Sequence, residues 1–79
     1  MSDMDITATL AAMRAQLQRE LNERLEGWAR ELRRDPDFSD GDIRRMVDIA
    51  RGAQMVVNAQ ALAAMEQDMR AAASSDVVH

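Results

Sequence analysis

Four carboxylates, Glu20, Glu23, Glu66 and Asp68, are the residues whose types and spacing come nearest to site chemistry, because acidic pairs on neighbouring helices are the raw material of a di-metal centre. Bundle sites of that kind take a Glu-x-x-His motif from each of two helices. Here the only His is His79, the last residue of the sequence, and there is no Cys. A His- or Cys-based metal site is therefore not expected. Ser, His and Asp are not arranged for nucleophilic catalysis, and no Gly-rich phosphate loop occurs. The expectation is a non-enzymatic protein with no cofactor.

Two other groups of side chains carry chemistry of a softer kind. Met46, Met55, Met65 and Met69 are flexible and polarizable, suited to an adaptable groove for a partner helix or to ordinary core filling. Arg30, Arg33, Arg34, Arg44, Arg45 and Arg51 cluster in the middle of the chain as a phosphate-binding patch would. Glu31, Asp35, Asp37, Asp40, Asp42 and Asp48 are interleaved with them and offset their charge. A salt-bridged, solvated tip is expected, with Arg33, Arg34, Arg44 and Arg45 kept as candidates for a charged contact surface.

The elements that hold these residues follow from composition and period. The chain has 79 residues, and a chain of that length buries a thin core that usually needs a disulfide, a metal or a partner chain. Aromatics are Trp28 and Phe38 alone, Gly and Pro total four, and Ala, Leu, Met, Arg, Glu and Gln dominate. That is the composition of an all-α protein. The net charge is −4, and all ten basic residues are Arg. A mildly acidic chain is a poor default partner for nucleic acid or an anionic membrane. The opening residues MSDMDI are acidic where a secretory signal would be basic, so a cytoplasmic location is expected.

Ile6, Leu10, Met13, Leu17, Leu21, Leu25, Trp28 and Leu32 recur every three or four residues and mark one face of a helix over about 4–34. Their mean spacing of about 3.7 is nearer an eleven-residue repeat than a heptad, which favours a straight or slightly right-handed pairing. Arg30, Arg33 and Arg34 suit the negative end of that helix, and Pro36 stops it by biasing Asp35 away from helical geometry. In FSDGDI, Ser39 is placed to cap a second helix with Asp42 answering from three residues on, and Phe38 and Ile43 are placed as a hydrophobic staple. The second helix is expected over about 40–72, after a connection at 35–39 and before a frayed tail at 74–79. A connection this short makes the helices antiparallel neighbours. The predicted fold is thus an all-α antiparallel two-helix hairpin that self-associates into a helical bundle. The alternative is a three-helix bundle with a break at Gly52, where Arg51-Gly52 resembles a helix end.

The hairpin core is expected from Leu17, Leu21, Leu25, Trp28 and Leu32 against Ile43, Val47, Ala50 and Val57, continuing through Ala61 and Ala64. Trp28 is expected to wedge against Ala50 and Gly52. Residues 52–65, GAQMVVNAQALAAM, carry no charge at all, too short a run for the ~20 residues that span a bilayer. They give the second helix two further apolar stripes: Met55, Leu62 and Met69, with Asn58 in register and Met65 at the edge; and Ile49, Ala53, Val56 and Ala63. A helix apolar nearly all round is buried nearly all round. Ile49, Met55, Val56, Asn58, Leu62, Met65 and Met69 are therefore assigned to an oligomer or partner interface. Asn58 would either fix register within that seam or sit at its rim.

In architecture such a chain is similar to small hairpin proteins that pair into four-helix bundles, to hairpin cores of ring-forming packaging subunits and to helical co-chaperones of secretion systems. These are likenesses of fold alone. The function expected is a non-enzymatic interaction module, an oligomerising adaptor, co-chaperone or protein inhibitor whose partners are itself and a larger protein. The alternative is a small nucleic-acid-binding regulator using the Arg cluster.

Overall fold

A computed structural model describes residues 3–78 of the chain, in two helices, α1 Asp3–Arg33 and α2 Asp40–Val78. They lie antiparallel as a rod of 64 × 16 × 13 Å. Asp3 and Asp5 occupy the first turn of α1, and Arg30 and Arg33 its last, so charge complements the helix dipole at both ends. The final turn tightens, with Arg34 N–H donating to the Glu31 carbonyl and Asp35 N–H to that of Leu32, each at 3.1 Å. Asp35 then accepts the Asp37 N–H on its side chain at 2.9 Å, which folds the turn around Pro36.

Ser39 starts α2. Its Oγ accepts the Asp42 N–H at 3.1 Å, and its own N–H donates to Asp42 Oδ2 at 3.3 Å, a reciprocal capping box built with Asp in place of Glu. Ser39→Ala removes one half of that box. It is expected to lower stability by about 1 kcal/mol, read as a fall of roughly 4–8 °C in the thermal midpoint, with Ser39→Asp restoring most of it. An unchanged midpoint would show that the connection is positioned by Pro36 alone.

Two features of α2 differ from the sequence expectation. It does not end near residue 72 but continues to Val78, because Ala71, Ala72 and Ala73 are strong helix formers and no Gly or Pro follows them. Of the tail expected to fray, residues 74–78 are helical, and His79 lies outside the described residues. Nor does the helix break at Gly52, which has no left-handed conformation. Glycine there costs about 1 kcal/mol relative to Ala, less than a new helix end with no capping side chain.

The core lies along the seam. Ile6, Leu10 and Leu62 are buried at the open end, packed by Met13, Leu17, Met69 and Ala73. Leu21, Leu25 and Ala29 of α1 and Ile43 of α2 are buried towards the tip. At the open end Arg70 ties the helices together: its Nη1 donates to Asp3 Oδ1 and its Nε to Glu66 Oε2, both at 3.0 Å.

Candidate interaction surface

The face that α2 turns inward determines what it leaves outside. Ile43 and Val47 point towards α1 near the tip, and Leu62, Met69 and Ala73 do so at the open end. Between them the half-buried positions of α2 are Ala50, Arg51, Gln54 and Asn58. This path advances about 3.7 residues per turn, the same period as the stripe of α1, and two straight helices stay in contact only along faces of equal period.

The expected stripe of Ile43, Val47, Ala50, Val57, Ala61 and Ala64 was spaced as a heptad, and a heptad stripe drifts off that line. Val57 is accordingly 54% exposed and not a core residue, and Ala61 and Ala64 are exposed as well. Leu62, at 6% exposure, belongs to the hairpin interior and not to a partner interface. Met69 packs on the same cluster, and Asn58 is half-buried in the seam. There Asn58 Oδ1 accepts a hydrogen bond from Gln54 Nε2 at 3.0 Å, so each amide has a partner on its own helix.

Of the other core assignments, Leu21, Leu25 and Ile43 are buried, while Leu17, Trp28, Leu32, Val47 and Ala50 are half-buried. Trp28 does not wedge against Gly52, since a Cβ built on Gly52 has no heavy atom within 4 Å beyond its own local backbone. Ala29 takes the buried position beside Trp28, a residue the larger ring concealed in the sequence although it stands four after Leu25. The Arg70 bridge has a local signal in the sequence, Glu66 four residues before Arg70, while its contact with Asp3 follows from the register that sets the start of α1 beside it.

The outer side of α2 is the notable surface. Ile49, Val56 and Val57 are 68%, 57% and 54% exposed, and Met55 and Met65 flank them at 49% and 38%. Ala53, Ala61, Ala63 and Ala64 fill the spaces between, all exposed, and no charge interrupts residues 52–65. Thus the seam side of α2 mixes the apolar Ile43, Val47, Leu62 and Met69 with half-buried Arg51, Gln54, Asn58 and Glu66, while its outer side exposes Ile, Val, Met and Ala. One edge of this surface opens into a small apolar groove of about 160 Å³ between the helices, lined by Leu17, Met55, Asn58, Ala59 and Leu62 with Arg14 and Gln18 at its rim.

The charged tip is less paired than its composition suggested. Of its residues only Asp48 and Arg51 form an ion pair among the described residues, at 3.3 Å and one turn apart. Arg33, Arg34, Arg44 and Arg45 are exposed without ion-pair partners among the described residues. A shallow hollow of about 400 Å³ joins Arg33, Arg44 and Arg51 with Asp40 and Asp48, so even here cations and carboxylates are mixed. Among the described residues no three His, Cys, Asp or Glu side chains are grouped to hold a metal, and no helix is long and apolar enough to cross a membrane.

These features define a class at the level of fold, a two-helix antiparallel hairpin with an apolar outer ridge. Comparison with family models, curated proteins and solved structures gives no match for this chain.

Proposed function

We propose that this protein is a non-enzymatic interaction module, an oligomerising adaptor, co-chaperone or inhibitor, that works through the outer ridge of α2. The supporting observation is the apolar ridge of α2: Ile49, Val56 and Val57 face outward, in addition to the apolar residues that the same helix already buries in the seam. Continuous exposed apolar surface of this kind marks an interaction site, and a chain this small has little other means of burying it. Met55 and Met65 at the edges supply adaptable contacts for a larger protein partner. The Arg-bearing hollow gives less support to a nucleic-acid reading, because Asp40 and Asp48 share it.

Sedimentation equilibrium at tens of micromolar is the direct test. Wild-type chain should sediment as a dimer or larger. Val56→Glu, at an exposed position where it leaves the hairpin intact, should weaken association at least tenfold, the cost of burying an unpaired carboxylate. A fully helical wild-type monomer under these conditions would remove the self-associating form of the proposal.

A further inference from the structure

The outer ridge of α2 is bounded by opposite charges, Arg45 at one end and Asp68 at the other. Along it stand Arg45, Ile49, Ala53, Val56, Val57, Gln60, Ala64 and Asp68, all exposed. The spacing is close to symmetric about the point between Val56 and Val57: Ala53 and Gln60 are equidistant from it, as are Ile49 and Ala64, and as are Arg45 and Asp68. Large faces small at Ile49 and Ala64, and the outermost pair is opposite in charge. Neither Arg45 nor Asp68 has an ion-pair partner among the described residues.

From this we infer that the ridge binds a second copy of the same chain, α2 against α2 and antiparallel, with the two-fold axis passing between Val56 and Val57. The inference rests on the interaction-module reading and adds the identity and register of the partner. A two-fold interface is self-complementary, so whatever residue i meets on the other copy, that residue meets i in return. In this register Val56 meets Val57 of the second copy, Ile49 meets Ala64, Ala53 meets Gln60, and Arg45 meets Asp68, each twice. No two like charges fall opposite each other between residues 42 and 71. Parallel in-register pairing would instead set Arg45 against Arg45 and Asp68 against Asp68. The paired segment from Arg45 to Asp68 is about 35 Å long.

Cysteine cross-linking tests the register. Ala53→Cys and Gln60→Cys are made separately in the full chain, checked for unchanged helicity, mixed and oxidised. In the inferred dimer, residue 53 of one copy stands beside residue 60 of the other, whereas like residues are about 10 Å apart along the axis, beyond disulfide reach. The mixture should give the mixed disulfide, and either variant alone should give little. Cross-linking of Ala53→Cys with itself would indicate parallel pairing and overturn the inference. A stable dimer that cross-links in neither way would place the contact on another face, overturning the inference while leaving the interaction module standing. A monomer would overturn the inference and the self-associating module together. As an independent reading, Arg45→Asp or Asp68→Arg should each weaken the dimer roughly tenfold, since each swap turns two attractive pairs repulsive, and the double variant should restore it. Failure of the double variant to recover affinity would overturn the register.

Discussion

Leu62→Ala is expected to lower hairpin stability by about 2–4 kcal/mol, while Val57→Ala should cost less than about 0.5 kcal/mol. Both remove apolar atoms from one helix, and the difference is where those atoms lie. Leu62 is 6% exposed and packs with Ile6 and Leu10 in the open-end core. Truncation there removes burial and leaves a cavity that Met13, Leu17 and Met69 fill only in part. Val57 is 54% exposed on the opposite side of α2. Urea titrations followed by circular dichroism, at concentrations low enough that the chains are compared as monomers, separate the two. Single-domain stabilities are about 5–15 kcal/mol, and a chain this short falls at the low end. Leu62→Ala should therefore be visibly frayed at 37 °C. If Val57→Ala were the more damaging change, α2 would be turned with its heptad stripe inward, and the outer ridge would not exist as described.

That pair of variants also isolates where the sequence was readable. The apolar stripe of α1 could be followed from Ile6 to Leu32 because its other sides carry Thr and Ala up to residue 12 and mostly Arg, Glu, Gln and Asn from Arg14 onward, so a single period of large apolar residues stands out. Ser39 and Asp42 could be placed as a cap because the chemistry is local: both partners lie within four residues and hydrogen-bond each other in the structure. The inward face of α2 was a different problem. From Gly52 to Met65 apolar residues occur all round the helix, so hydrophobicity cannot say which side faces α1. The rotation is set by distant anchors, Ile43 near the connection and Leu62 with Ala73 at the open end. Transferring the 3.7-residue spacing of α1 to α2 would have found this face, because paired faces must share a period; heptad spacing put Val57 in the core and Leu62 outside it. The Arg70 bridge to Asp3 depends on residues 67 apart, and only the register of the whole hairpin brings them together.

Replacing Gln54 and Asn58 together by Leu should stabilise the hairpin by about 1–2 kcal/mol. Full burial of a Leu side chain is worth roughly 1.5–3 kcal/mol, and both positions are half-buried, so each gains about half. The amides lose one mutual hydrogen bond at 3.0 Å, but because both partners go, no polar group is left unmatched and the loss is about 1 kcal/mol or less. Asn58→Leu alone should gain less, since Gln54 then keeps its desolvation without its partner. The natural pair thus leaves stability unused within the hairpin, the pattern seen where stability and function compete for the same residues. The double variant tests whether the seam and the outer ridge of α2 act independently. Urea midpoints should rise while the sedimentation behaviour of the assembly stays as in wild type, because Ile49, Val56 and Val57 are untouched. A fall in stability of 1 kcal/mol or more would instead make the Gln54–Asn58 pair a determinant of which face α2 turns inward. A changed assembly at raised stability would mean that the apolar sides of α2 compete for the same partner, with the amides holding the more apolar side outward.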